Sequence, residues 1–423
     1  MNKDSSLLRN VSKFFTESTL ANIVAKVCNE DVQNVQILSW NFGEASRKGD
    51  GNMSIVSRVV IKSKVKSRDV ETKIVVKSLP RSIGRIKTFR LDDIFRNEII
   101  FYTEIADKFK EFLKSKNQTS LLLIPECLAY HLDGREDYLA LLDMSNFGFT
   151  TASREEYLTL EECENILEAM ARFHGISFAY KDKNSQDFLQ RTGKLEEMYY
   201  TDDIFDTWYK RLFETVIDIA KDALAKEYPG SEAERRFNSI NPRELYNKSV
   251  EFCSRTKAPT SVVSQGDSWA PNFMIRDNPS GKKEVLLLDF QMARCASLVL
   301  DVSFFIYSCT DKSLRDKHFD NLLDVYYKEL AKTIEILGSD AKSLYPRETF
   351  LHEVNEQFIH GLVFGLEALP AAMLSPEETF NSEVTGDEKV EIMDIWVLNR
   401  LKTPEKRRRL ADMILDAVER QYL

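Results

Sequence analysis

Cysteine is sparse in this chain. Six residues (Cys28, Cys127, Cys163, Cys253, Cys295 and Cys309) are scattered through 423, with no Cys-x-x-Cys pair. That spacing argues against a disulfide framework and predicts reduced thiols in a cytoplasmic protein. Glycine (15) and proline (11) are too few for collagen-like or low-complexity sequence. No apolar run is long enough for a membrane-spanning helix, so no membrane span is expected. The start, MNKDSSLLRNVSKFF, is broken by charge and lacks the apolar stretch of a secretory signal. Positive charge is not in excess either. With 58 Lys+Arg against 67 Asp+Glu the formal charge is −9, which speaks against a broad nucleic-acid surface. The patterns GxxxxGK[ST], HExxH and GxSxG and the EF-hand loop are also missing.

What is present is core material. Hydrophobic residues make up 43% and aromatics 11%, so most of the chain folds, and its length suits two or three domains or one two-lobed enzyme. The first third reads as strands at 35–42, 53–65, 71–79, 120–132 and 137–143, with a helix over about 91–113. Beyond Met144 helices dominate: 160–180, 203–227, 241–254, 313–337, 348–369 and 404–422, the last opened by Thr403-Pro404. One strand-rich island interrupts them at 272–289. The reading is therefore α+β and two-lobed, with a small antiparallel-sheet lobe at 1–145 and a larger, mainly helical lobe at 146–423. By composition alone the acidic stretch 376–394 reads as a surface loop or a partly mobile segment.

The island carries the chemistry. In VSQGDSWAPNFMIRDNPSGKKEVLLLDFQM, a strand opens at Asn272, turns through DNPSGKK, and returns to end at Asp289. The hairpin should set Asn272 and Asp289 side by side, with Asp267 on the loop entering the same end. Each residue alone is an ordinary turn or strand-end residue. Together, two carboxylates and one amide suit Mg2+, and Asp-x4-Asn followed by Asp-Phe after a hairpin is the core of kinase phosphoryl transfer. In that core Asp267 accepts the proton of the attacking hydroxyl, and Asn272 and Asp289 hold metal.

The first lobe gives an independent sign. Lys77 ends the strand Ile74-Val75-Val76-Lys77, and Glu98 lies on the next helix among Ile94, Phe95, Phe101 and Tyr102. A carboxylate in that setting needs a cationic partner, and Lys77 is the candidate. Gly49, Gly51 and Ser54 lie between the first two strands. They read either as a plain hairpin turn or as a partial glycine-rich loop whose amides approach phosphates. His174, in the apolar stripe Met170-Phe173-His174-Ser177, reads as a packed core histidine. Lys406-Arg407-Arg408-Arg409 reads as a solvated helix face.

These residues resemble the ecdysteroid kinase-like (CHK kinase-like) family, relatives of choline and aminoglycoside kinases with a protein-kinase-like fold. The likeness runs over nearly the whole chain. It includes Lys48–Ser54, Val76-Lys77-Ser78-Leu79-Pro80, Asn97-Glu98, Leu141-Leu142-Asp143-Met144, Ala171-Arg172-Phe173-His174, Gly266-Asp267-Ser268-Trp269, Asp289-Phe290-Gln291 and Asp301. The resemblance implies an ATP- and Mg2+-dependent phosphotransferase acting on a small hydroxylated acceptor, an ecdysteroid or another lipophilic compound such as a plant toxin, with detoxification as its role. It implies that Lys77 meets the α/β-phosphates and pairs with Glu98, that backbone around Asp143 and Met144 meets adenine, and that Asp301 steadies the catalytic loop. Two positions depart from the family pattern. Gln265 stands where His is usual and still offers a donor and an acceptor. Met144 stands where Leu is usual. Two other readings remain: a kinase of choline-like alcohols, which calls for an acidic pocket, and a ligand-binding pseudokinase. Trp208, Tyr209, Phe358 and Phe364 either line the acceptor pocket or belong to the core.

Overall fold

The computed structural model describes residues 3–44, 54–153, 156–278, 281, 283–374, 384 and 386–423. Two compact units emerge. The first comprises Met1–Thr103, Ile124–Phe149 and Pro376–Trp396; the second comprises Glu104–Leu123, Thr150–Ser375 and Val397–Leu423.

The first unit is built on a five-stranded antiparallel sheet. Its strands are β1 (Val35–Glu44), β2 (Ile55–Val65), β3 (Arg68–Ser78), β4 (Cys127–His131) and β5 (Tyr138–Leu142), in the order β1-β2-β3-β5-β4. Alternation sets the faces. Val59, Ile61, Ile74, Val76 and Ala140 point into one buried cluster with Leu20, Ile23 and Val24 of the helix Glu17–Cys28. That helix was not evident from periodicity, although Thr16 and Thr19 form a reciprocal cap at its start. The expected strand at 120–132 shortens to β4. A 3-10 turn at Thr119–Leu121 and Pro125 occupy its first half. The expected helix over 91–113 is two α-helices, Leu91–Ile100 and Asp107–Ser115, separated by a π-helical turn at Phe101–Ala106.

The second unit is mainly helical. Leu160–Lys183 packs along Lys312–Ile336, and Val299–Cys309 along Ile359–Ala372. Thr159 and Glu162 form the capping box that starts Leu160–Lys183. Two small sheets interrupt the helices. The strand pair β6 (Thr150–Thr151) and β8 (Phe273–Asp277) continues into β9 (Lys283–Leu287), while β7 (Ser261–Ser264) pairs with β10 (Arg294–Ser297). β7 and β10 are four residues each and fully buried, so they show no alternation. Among the described residues, no helix is long and apolar enough to cross a membrane.

Candidate functional site

In the first unit, β3 carries Lys77 on the sheet face opposite buried Val76 and Ser78. Its ammonium donates to both carboxylate oxygens of Glu98, at 2.8 and 3.1 Å. Glu98 lies on Leu91–Ile100 with only 3% exposure, flanked by buried Asn97 and Ile99. The pair read from sequence is therefore a partly buried ion pair joining sheet to helix. Asp143 follows β5 and is 2% exposed. Its Oδ1 accepts from the Ser145 N–H (3.0 Å) and hydroxyl (2.7 Å), and its Oδ2 from Arg58 Nε (2.6 Å). The Asp143 side chain thus shapes a turn that Met144 enters as a 3-10 helix. Ser54 stands directly before β2, half-buried; Gly49 and Gly51 lie outside the described residues.

In the second unit, the β8–β9 hairpin has Phe273 opposite Leu287, and the Leu288 N–H donates to the Asn272 carbonyl at 2.8 Å. Asn272 thus stands at the open end of the hairpin, with Asp289 one residue beyond its partner. It closes a 3-10 turn, Ala270–Asn272, and β8 begins at Phe273, one residue later than expected. Asn272 Nδ2 donates to the Asp267 carbonyl (2.8 Å) and to its carboxylate Oδ2 (2.9 Å). This turns the carbonyl oxygen of the same amide away from Asp267.

Electrostatics tie the three residues together. Desolvation, and then the charge of Asp289, push the Asp267 carboxyl up to about 7, against the hydrogen bond from Asn272. Asp289 has φ +57°, a left-handed conformation uncommon for a residue with a Cβ. Gly266 has φ +84°, and a Cβ there would lie 1.9 Å from the Met292 carbonyl oxygen. Only glycine lets this turn press against the segment that follows Asp289.

Buried polar groups hold the Asp267 turn from behind. Asp301, 3% exposed, accepts from the Gln265 N–H at Oδ2 (2.7 Å) and the Gly266 N–H at Oδ1 (3.0 Å). His174 Nε2 lies 3.2 Å from the same Oδ2, and His174 Nδ1 lies 2.6 Å from the Tyr326 hydroxyl. Burial alone would raise the Asp301 pKa. The hydrogen bond and charge interaction with His174, with the two backbone N–H groups, outweigh it and hold the carboxyl below its ordinary value. His174 is a core histidine, and also the middle of a chain from Tyr326 to the loop. Gln265, 1% exposed, donates its amide to the Leu288 carbonyl and accepts from the Ser268 hydroxyl at 3.0 Å. It links the residue before Asp289 to the residue after Asp267. In sequence it was visible only as a departure from a pattern.

Other groups near Asp267 escaped the sequence. Glu367 and Arg294 both act on its pKa. Burial pushes the Glu367 carboxyl up to about 7, and the Tyr209 hydroxyl donates to it. Arg294 Nε lies 3.0 Å from the Glu197 carboxylate. Trp208, Tyr209 and Phe364 each pack on Tyr199 in one buried ring cluster. Phe358 belongs elsewhere, with Tyr307, Phe319 and Tyr422. The basic run departs from a solvated face: Arg407 and Arg408 both pair with Glu227, and Arg409 donates to the Ser308 carbonyl.

A metal can be tested against this donor set. Among the described residues no group of three or more His, Cys, Asp or Glu could hold a metal ion. Two carboxylates and an amide oxygen suit Mg2+ nonetheless, because that ion keeps waters and takes phosphate oxygens alongside one or two carboxylates.

These residues stand on a five-stranded antiparallel sheet followed by a mainly helical remainder. The model of the ecdysteroid kinase-like family matches residues 48–339, more than half of the chain. The chain belongs to that family. No curated protein matches it in sequence. Among solved structures, a Plasmodium vivax ethanolamine kinase is 12% identical, with 85% of this chain and 82% of that one covered and a TM-score of 0.39. A microcompartment-associated aminopropanol kinase is 10% identical, covering 96% and 98%, with a TM-score of 0.35. An aminoglycoside phosphotransferase from Streptomyces rimosus, in complex with ADP and streptomycin, is 14% identical, covering 73% and 90%, with a TM-score of 0.30.

Proposed function

We propose that the chain is an ATP-dependent small-molecule kinase that transfers the γ-phosphoryl group to a hydroxyl of an ecdysteroid or another lipophilic hydroxylated compound. Asp267 carries the reading. Its carboxylate is oriented by Asn272 and pushed up to about 7, close to where a group accepting a proton from a hydroxyl near neutral pH should stand. Asp267 orients the acceptor hydroxyl and takes its proton. Lys77, fixed by Glu98, meets the phosphates, and backbone amides around Gly49, Gly51 and Ser54 approach them. At Asp143 it is the backbone that meets adenine, with that of Met144, because the Asp143 carboxylate is committed to Arg58 and Ser145. Asn272 and Asp289 would hold Mg2+, which when bound neutralises charge on the phosphates. Residues 1–145 would serve the nucleotide and 146–423 the acceptor.

One observation favours a cationic alcohol as acceptor instead. Glu367 is a buried carboxyl, held by Tyr209 beside a ring cluster and close enough to Asp267 to act on its pKa. A buried acid beside aromatic faces suits an ammonium group.

The test is phosphotransfer from Mg-ATP to a panel of hydroxylated steroids, plant phenolics and choline, with Asp267→Ala beside wild type. The expected result is a steroid or phenolic product heavier by one phosphoryl group, formed by wild type alone. A product from choline only would select the cationic acceptor. Undiminished transfer by Asp267→Ala would remove Asp267 from its role. No product, together with no thermal stabilisation by Mg-ATP, would replace the enzyme with a ligand-binding pseudokinase.

A further inference from the structure

The stretch 376–394, expected as a surface loop, does more than cover surface where it is described. Val384 and residues 386–396 clamp the helix Ile83–Phe89, in the same unit as Lys77 and Glu98. The Ser82 hydroxyl caps that helix by accepting from the Arg85 N–H (3.2 Å), and it donates to the Val384 carbonyl (2.8 Å). The Gly84 N–H, one of the first-turn donors that has no acceptor inside a helix, donates to the Gly386 carbonyl at 3.2 Å. Lys87 donates to the Asp387 carbonyl at 2.9 Å. Thr88, fully buried, donates its hydroxyl to the Gly84 carbonyl (2.7 Å) and accepts from the Val390 N–H (3.1 Å). At the far end the Phe89 and Trp396 rings meet at 5.4 Å. The fit is close: a Cβ on Gly84 would lie 2.7 Å from the carbonyl oxygens of both Gly386 and Glu388.

The clamped helix has seven residues, too few to hold its own geometry in water. It runs through a single left-handed residue, Arg90 (φ 54°), into Leu91–Ile100. Arg90 is fixed there by Asp93, at 3.0 and 2.8 Å. Glu98 lies two turns further along, bonded to Lys77. The direction of the Glu98 helix is therefore set from its N-terminal side by the strap.

We infer that residues 386–396 form a positioning strap for the Lys77–Glu98 pair, so that the strap governs how well the chain holds a nucleotide's phosphates. The inference rests on the proposed role of Lys77 and names Thr88 and Trp396 as positioning residues. The experiment is calorimetric titration of the full chain with Mg-ATP, and steady-state kinetics with whichever acceptor is turned over. The variants are Thr88→Val, Trp396→Ala, Trp396→Phe and Lys77→Met. Trp396→Ala and Thr88→Val should each weaken Mg-ATP binding about tenfold, leave the acceptor KM unchanged, and keep the wild-type circular dichroism. Trp396→Phe, which keeps a ring against Phe89, should restore binding. Wild-type Mg-ATP affinity in folded Trp396→Ala and Thr88→Val would overturn the strap. If Trp396→Ala does not fold, Thr88→Val decides alone, since it keeps the side-chain shape and removes only the hydroxyl. Unchanged affinity in Lys77→Met would instead defeat the role of Lys77, and the strap inference with it.

Discussion

Replacing Asp301 by Asn should cost far more than the loss of one charge suggests. Asp301 has no water to fall back on: it is 3% exposed, and its two oxygens receive the N–H groups of Gln265 and Gly266 and Nε2 of His174. An amide offers one oxygen and one NH2. Whichever way it turns, its NH2 faces a backbone N–H, donor against donor. A hydrogen bond to a charged group contributes about 1.5–3 kcal/mol, and a buried donor left without an acceptor costs about 1–3 kcal/mol. The two effects together give about 2.5–6 kcal/mol, a range that spans the cost of breaking one side of a buried ion pair. The sign of the pH dependence follows from the depressed pKa. Asp301 stabilises the fold fully above the ordinary carboxylate pKa and loses that contribution as pH falls through its lower folded value. Urea unfolding followed by tryptophan fluorescence should show the full deficit in Asp301→Asn at pH 7. The gap to wild type should narrow below about pH 4. A deficit under about 1 kcal/mol at pH 7, or one that stays constant into acid, would refute the reasoning.

Three further outcomes are expected. Lys77→Met should destabilise the first unit by about 3 kcal/mol by taking the cation away from buried Glu98, and adding Glu98→Leu should recover most of it; a double-mutant cycle by urea unfolding measures the coupling. Gln265→Ala should cost about 2–4 kcal/mol, because it strands the buried Ser268 hydroxyl and the Leu288 carbonyl, and it should depress kcat more than KM. Phosphotransfer should rise with pH through about 7 as Asp267 ionises, and Asp267→Asn should give no product at any pH.

The placement of the candidate site residues is legible because it depends on local spacing. A hairpin of known turn chemistry fixes which ends meet, and so places Asn272 and Asp289 side by side. Lys77 and Glu98 were legible for a similar reason: one ends an apolar strand, and the other is an acid among helical apolar neighbours that demands a cation. What stayed hidden depends on contacts distant in sequence. Tyr326 reaches His174 across 152 residues, and the bonds of Asp301 to Gln265 and Gly266 span more than thirty, so that its role at the loop came only from the family resemblance. No periodicity signals such a bond, and His174 in an apolar stripe reads as packing whether or not it is bonded. The strap was invisible for the opposite reason. Its composition is that of a solvated loop, and its hold on Ile83–Phe89 is largely through backbone groups, which every sequence has.

The backbone around Asp267 suggests why that carboxylate has so high a pKa. Gly266 in its left-handed turn lies against Met292, and Gln265 bonds the Leu288 carbonyl, so the Asp267 turn and the Asp289 turn form a single rigid piece. Within it two carboxylates are held near each other and partly out of water. Such an arrangement destabilises the fold above pH 4: the folded pKa of Asp267 is raised, so stability falls as pH climbs from the unfolded value toward about 7. Asp289→Asn tests this directly. Asn tolerates the left-handed conformation at 289, and the charge beside Asp267 is gone. The Asp267 pKa, followed by carboxyl NMR, should move down from about 7 without reaching the usual carboxylate range, because desolvation is the larger cause and remains. The variant should be more stable than wild type at pH 8 while losing phosphotransfer. An Asp267 pKa unmoved in Asp289→Asn would mean that burial alone sets it, and that the two carboxylates are not coupled.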